Sequence, residues 1–314
     1  MAKRSAQDVA ATTGVILNPR SGYVTRHAVM DTVTLIQDAL PHAQIHVLDP
    51  LDDVMLCCQE LLSSGATTLV AAGGDGTVNG VAAILAGHGM VLGVLPVGTF
   101  NHFARDIGLA HGMRHALQVL RAGHVKTIDV ASVNGNLFLN NSSIGLYPRL
   151  VQLRDRVGQR HGRGPATLEA ALLMAQQPYP SRVSFTAAGR TQTFHGSFLF
   201  VGNNRYEPDP LHRRFRSRLD EGVLSCLILD EPDPGHFTAS ATRLPQENHL
   251  HHHGPHALAT SQLIVVLTTD DTTPVSTDGE VRLLRPPLDY RICPQALRVI
   301  VPQSTGSPSE RGTS

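Results

Sequence analysis

The chain has 314 residues, 41% of them hydrophobic, and its 26 Lys+Arg balance 26 Asp+Glu to a formal net charge of +0. That is enough apolar material for one or two domains with a sizeable core, and the charge balance gives no electrostatic footprint for nucleic acid. The four cysteines, Cys57, Cys58, Cys226 and Cys293, form no Cys-x-x-Cys pair and no zinc spacing, so ordinary buried thiols in a reducing compartment are expected.

Along the first part of the chain strands alternate with helices. Gly14 to Asn18 reads as a short apolar strand ending in Asn18-Pro19-Arg20-Ser21-Gly22, and Thr25 to Leu40 has helical spacing. Gln44 to Leu48 reads as a strand, Pro50 to Ser64 as a helix, Thr67 to Ala72 as a buried strand and Thr77 to Ala86 as a helix. Val91 to Leu95 is a further strand, followed by helices from Asn101 to Ile107 and from Met113 to Ala122. This alternation predicts a doubly wound parallel sheet, whose ligands sit beyond the carboxyl ends of the strands. All three glycine-bearing turns fall at those ends.

After Thr127 the segments become strand-like: Asn136 to Ile144, Arg182 to Ala188, Gln192 to Val201, Val223 to Leu229, Gln262 to Thr268 and Leu297 to Val301, with one helix from Pro165 to Gln177. The expected fold is therefore α/β, with an N-terminal doubly wound parallel-sheet domain over residues 12–128 and a mainly antiparallel β domain over 129–302. The last strand is free to return to the first domain. Residues 303–314 are rich in Ser, Gly and Pro and read as a disordered tail. No apolar run is long enough to span a bilayer, and the polar start MAKRSAQDV lacks the apolar core of a signal peptide, so a cytoplasmic location is expected.

The chemistry concentrates between Leu69 and Gly108. The first turn there holds Gly73, Gly74, Asp75, Gly76 and Thr77, followed by Val78, Asn79 and Gly80; the second holds Pro96, Val97, Gly98, Thr99, Phe100 and Asn101. Glycine lets a ligand approach the backbone closely, and helix N-termini attract anions, so these turns point to a phosphate. Lys3 and Lys126 are the only lysines and neither follows a glycine, which excludes a Walker-type phosphate loop. Asp75 reads either as an organiser of Mg²⁺-nucleotide chemistry or as a helix N-cap; Thr77, Thr99 and Asn101 read equally as caps.

Taken together, GGDGTVN and GVLPVGTFNHFARDIG resemble the bacterial soluble diacylglycerol kinase family, which is itself similar to sphingosine and ceramide kinases and, more distantly, to NAD kinases. Supporting matches are Asn18 to Gly22, Thr127 to Val130, Asn140 to Gly145, Val201 to Asn204 and Asp278-Gly279-Glu280. The resemblance implies an ATP- and Mg-dependent lipid kinase, with diacylglycerol or a related lipid as acceptor. It implies that Asn18, Pro19, Arg20, Ser21, Gly22, Gly73 to Gly80, Thr99 and Asn101 bind ATP. It also implies that Asp278 and Glu280 supply the general base, and that Asp75 and Asp129 organise the catalytic magnesium. Glu221, with the carbonyls of Arg218 and Val223, falls where a structural magnesium loop is expected. A catalytically weak lipid-binding or regulatory paralogue, or an NAD-type small-molecule kinase, are the alternatives.

Two positions depart from the family pattern: Gly80 replaces a glutamate and His102 an aspartate. Arginines cluster at Arg149, Arg154, Arg156, Arg160 and Arg163 and again at Arg213, Arg214, Arg216 and Arg218, which reads as contact with anionic headgroups or as a solvated face. Peripheral membrane association is expected on the first reading, and the sequence leaves homodimerisation open. The run from His249 to His256 contains Gly254-Pro255 and reads as an exposed loop.

Overall fold

The apolar runs Thr13–Leu17, Thr68–Gly73 and Val91–Pro96 are buried along almost their whole length, as strands covered on both faces must be. In a computed structural model of the chain they form β1, β3 and β4. The residues described are 13–145, 182–187, 189–206, 216, 218–230, 256–267 and 272–303. The chain divides into two units, Met1–Thr127 with Leu297–Ser314, and Ile128–Ala296.

In the first unit β2 (Gln44–Val47) lies at the edge of a parallel sheet with the order β2-β1-β3-β4. The end of β15 (Leu288–Ile300) adds a further parallel strand beside β4, with Arg298 opposite Val91 and Val299 opposite Leu92. The helices are α1 (Val29–Ala39), α2 (Val54–Ser63), α3 (Asp75–Leu85), α4 (His102–Asp106) and α5 (Met113–Ala122). In α5, Met113, Ala116, Leu117 and Leu120 fall on one buried face, and Gly123 ends the helix in the left-handed conformation that glycine adopts without strain. The helix expected from Thr25 is shorter. A 3-10 turn over Val24–Arg26 precedes it, and His27 and Ala28 are extended before α1 begins. The helix expected from Pro50 begins at Val54, because the Asp53 carboxylate caps it by accepting the Met55 N–H at 2.8 Å.

The chain enters the second unit along β5 (Val125–Val133). There follow β6 (Asn136–Phe138), β7 (Asn141–Gly145), β8 (Arg182–Ala187), β9 (Arg190–Asn203), β10 (Leu224–Asp230), β11 (His256–Thr260), β12 (Gln262–Leu267), β13 (Thr273–Thr277) and β14 (Glu280–Leu284). The strands pair antiparallel in the order β14-β13-β7-β9-β8-β12-β15, with β10 pairing β9 and β11. The core includes Phe138, Val201, Leu224, Val265, Leu288 and Tyr290, whose ring meets Phe138 edge-on and whose hydroxyl lies 3.2 Å from Ser142 Oγ. The helix expected from Pro165 to Gln177 lies outside the described residues.

The single strand expected from Asn136 to Ile144 is broken at Leu139 and Asn140, and the cause is electrostatic. The Asp278 carboxylate accepts the N–H groups of Leu139 (2.7 Å), Asn140 (2.8 Å) and Asn141 (3.1 Å). The guanidinium of Arg216, fully buried at 0% exposure, donates to the carbonyls of Leu139 (2.7 Å) and Asn203 (2.8 Å) and to Asn140 Oδ1 (2.8 Å). Asn203 donates through Nδ2 to the carbonyls of Asp129 and Leu139. An anion and a cation thus hold the break from opposite polarities, and the main-chain groups that leave the ladder are satisfied.

Burial pushes the Asp278 pKa up to about 6 in spite of the three N–H donors and the Arg216 charge, which act to lower it. Replacing Asp278 by Ala leaves three backbone donors without their acceptor and is expected to cost on the order of 3 kcal/mol in urea unfolding, with Asp278→Asn costing less because an amide oxygen still accepts. Since the folded value lies above the ordinary 3.8, folding takes up a proton between these two limits. The stability of the parent chain relative to Asp278→Asn is therefore expected to fall as pH rises from about 4 to about 6 and to level off above that.

Candidate functional site

Three turns meet at the carboxyl edge of the parallel sheet in the first unit. Asn18 follows β1; its N–H donates to Ala72 O on β3 (2.9 Å), and its Nδ2 donates to Thr77 Oγ1 (3.0 Å) in the first turn of α3. Its Oδ1 accepts the Arg20 N–H at 3.0 Å, which closes the NPRSG turn on itself. The Tyr23 N–H donates to Val97 O (2.8 Å), tying that turn to the one after β4. A side-chain carbon at Gly22 would come within 3.0 Å of Thr99 Oγ1, and one at Gly98 would overlap Gly74 Cα and approach Asn101 Oδ1 to 2.7 Å. The turns after β1, β3 and β4 are in contact, and where the last two meet they are bare backbone.

The residues expected at this site divide into those at its surface and those that build it. Arg20, Gly76 and Thr99 are exposed, whereas Pro19, Gly22, Gly74, Asp75 and Gly80 are half-buried. Ser21, Gly73, Thr77, Val78 and Asn79 are buried. Val78, at 4% exposure, packs in the core and can offer a ligand only its main chain. Asn101 is likewise a building residue. It is left-handed (φ 52°), and its Nδ2 donates to Gly98 O (2.9 Å) and Pro96 O (3.3 Å), which winds the PVGTFN turn. Gly98, not among the expected binding residues, is the position that lets the two turns approach.

Asp75 does not cap its own helix. Gly74 is the N-cap of α3, Asp75 is its first residue, and its Oδ1 accepts the Phe103 N–H of α4 at 3.3 Å. One carboxylate, on a half-buried residue at the start of α3, therefore joins the two glycine-rich turns. Gly80 faces α2, where an added carbon would meet Val54 Cγ1 at 3.4 Å, so a longer residue would press on that helix. His102 is exposed and stacks on Phe100, with ring centroids 5.7 Å apart.

The remaining expected residues lie in the second unit. Asp129, 1% exposed, accepts the Gly222 N–H (2.7 Å) on one oxygen and the Gln295 N–H (2.8 Å) on the other, and its own N–H donates to Leu219 O (2.7 Å). Through these contacts Asp129 anchors the 218–223 loop. In that loop the Glu221 N–H donates to Asn204 Oδ1, Glu221 Oε2 accepts the Arg205 N–H, and Val223 O accepts the Asn204 N–H. The Arg218 guanidinium is exposed and pairs with Asp220 at 3.4 Å. The donor set of the loop, a carboxylate and main-chain carbonyls, is all oxygen and suits Mg²⁺ in kind.

Asp278 and Gly279 form the two-residue connection between β13 and β14, both with positive φ (50° and 89°), as a tight hairpin requires. Glu280 is exposed at the start of β14, and Arg282 lies 3.3 Å from its carboxylate. Arg216, expected in a headgroup-binding cluster, is instead a buried structural cation whose guanidinium also lies over the Tyr206 ring at 5.4 Å. The arginines from Arg149 to Arg163, Arg213, Arg214 and the histidines from His249 to His253 lie outside the described residues. Among the described residues no helix is long and apolar enough to cross a membrane.

Residues 12–133 match the family model of the diacylglycerol kinase catalytic domain. The "Probable lipid kinase YegS-like" of Pseudomonas aeruginosa (strain UCBPP-PA14) is 33% identical over 184 residues, 57% of this chain and 60% of that protein. A protein of the same description from Chromohalobacter salexigens is 27% identical over 233 residues, 72% of each chain. The match thus spans about 60% of the length of the Pseudomonas relative. A crystal structure of a diacylglycerol kinase from Bacillus anthracis str. Sterne superposes with a TM-score of 0.68 at 20% identity, covering 93% of this chain and 97% of that one, a likeness of fold. The bare-backbone meeting of the GGDGT and PVGTFN turns lies inside the segment that matches the diacylglycerol kinase catalytic domain.

Proposed function

We propose that the chain is an ATP- and Mg-dependent lipid kinase that transfers the terminal phosphoryl group of ATP to a lipid hydroxyl, with diacylglycerol as the acceptor to test first. The observation that carries this reading is the contact of three turns, through Asn18–Thr77, Gly22–Thr99 and Gly74–Gly98, at the carboxyl edge of a parallel sheet. Phosphoryl transfer asks for positioning and charge neutralisation more than for covalent chemistry, and main-chain N–H groups at these turns meet that demand without a lysine. The names of the curated relatives, which describe lipid kinases, support the acceptor class.

Asp75 would hold the catalytic Mg²⁺, and Glu221 with the Arg218 and Val223 carbonyls would hold a structural one. The fit of the second rests on the all-oxygen donor set of a loop that Asp129 anchors. When bound, Mg²⁺ neutralises phosphate charge. In the transfer the acceptor hydroxyl oxygen bonds to phosphorus, the bond to the ADP oxygen breaks, and the hydroxyl proton goes to a carboxylate of the Asp278-Gly279-Glu280 hairpin. Glu280 carries that step in this proposal, its carboxylate being exposed, while the oxygens of Asp278 are engaged by the backbone of residues 139–141. Peripheral contact with an anionic membrane surface would bring the acceptor within reach.

Transfer of labelled phosphate from Mg-ATP to diacylglycerol in mixed micelles is expected, with none to NAD; labelling of NAD instead would overturn the acceptor class. Asp75→Asn, which still accepts the Phe103 N–H, is expected to keep the parent thermal midpoint while losing on the order of 100-fold in turnover. Gly98→Ala is expected to separate the two turns, weakening ATP binding in calorimetry and destabilising the chain by about 1–3 kcal/mol.

A further inference from the structure

We propose that His46, Asp52 and Cys57 form a binding site for a divalent transition-metal ion of the zinc type, separate from the three phosphate-facing turns. His46 lies on β2, Asp52 in the connection that follows, and Cys57 in the first turns of α2. His46 Nε2 is 3.2 Å from Asp52 Oδ2 and 3.3 Å from Cys57 Sγ, and the three donor atoms all lie within 4.8 Å of one another. Among the described residues this is the one group of three such side chains that converges in this way.

The geometry separates a metal site from a nucleophilic triad. In a triad the carboxylate holds the imidazole nitrogen opposite the nucleophile. Here both partners contact the same nitrogen, which carries at most one proton and cannot serve as a relay between them. Three unlike donors, N, O and S, around one point are instead the ligand types of zinc. At ligand bonds of about 2.0–2.3 Å, a tetrahedral ion spaces its donors about 3.5 Å apart, close to the two distances here. Three protein ligands leave the fourth position to water.

The surroundings favour a cation. Burial pushes the Cys57 thiol up from the ordinary range, and the carboxylates of Asp52, Glu60 and Asp53, the charged groups acting on it, add to the rise. The Asp49 N–H holds Asp52 in place through Oδ2 at 2.7 Å, and that bond lowers its pKa, so it is ionised at neutral pH. Binding replaces the Cys57 thiol proton, which leaves to solvent, so that charge and atoms balance with one proton released per ion. Burial pushes the pKa values of Cys58 and Cys226 up to about 12, with Cys57 and Asp53 adding to the rise at Cys58.

The test uses the full chain with His249, His251, His252, His253 and His256 changed to Asn, which removes the imidazole ligands of the histidine run. Titration with Co²⁺ under reducing conditions is expected to raise a near-ultraviolet thiolate-to-cobalt charge-transfer band that saturates at one ion per chain and is displaced by Zn²⁺. Cys57→Ser is expected to abolish the band. His46→Asn and Asp52→Asn, both at accessible positions, are each expected to weaken Co²⁺ binding at least about ten-fold with an unchanged far-ultraviolet spectrum. Absence of the band at excess cobalt, its survival in Cys57→Ser, or unchanged affinity in both other variants would each overturn the site.

Discussion

Gly98 lies so close to Gly74 that a side chain on Gly98 would overlap the Gly74 backbone, and the architecture of the first unit follows from that approach. Two parallel strands deliver their turns side by side only if they are neighbours, as β3 and β4 are through the register from Thr68–Val91 to Gly73–Pro96. The helices that follow must then start close together, and the Asp75 carboxylate, first in α3, caps α4 across the gap. Asn18 completes the arrangement by donating its amide to Thr77 in the neighbouring turn, and Asn101 by donating its amide to Pro96 and Gly98 in its own turn. Polar side chains here shape the backbone, and the backbone presents the surface.

The second unit solves a related problem with full charges. Its sheet is interrupted between β6 and β7, and the exposed main-chain groups are met by Asp278 from one side and Arg216 from the other. Buried charges of this kind are costly to strip of water and persist only when each lone pair and proton finds a partner. The three N–H groups on Asp278 and the three acceptors around Arg216 meet that condition. Asp129 repeats the device on a smaller scale, tying the 218–223 loop and Gln295 to β5.

The parallel half of the fold was readable because burial on both faces writes continuous apolar runs, and because the turns carry their own chemistry at fixed offsets. Met113 to Ala122 was legible to the residue, since its apolar positions keep helical spacing up to a terminating glycine. Long-range polar contacts left no such trace. Nothing near Leu139 marks the break in that strand, for its cause lies at Asp278, 139 positions away. Arg216 reads as a surface arginine among arginines until the carbonyls it serves are seen around it. The backbone donors that engage both oxygens of Asp129 come from Gly222 and Gln295, distant segments that the sequence around Asp129 does not announce. His46 and Cys57 match no metal spacing because the strand and the helix that bring them together are joined by an irregular connection whose path the spacing does not encode.

The fifth strand of the first unit has a consequence for biosynthesis. Leu297–Ile300 completes the parallel sheet beside β4, although residues 128–296 intervene in the chain. During translation the hydrogen-bonding edge of β4 therefore stays open while the whole second unit is being made. The ribosome must deliver residue 300 before the first unit can close. Residues 12–133, a continuous domain by sequence, thus lack one strand of their own sheet, and a fragment cut at those limits would present β4 as a bare apolar edge open to pairing with other chains.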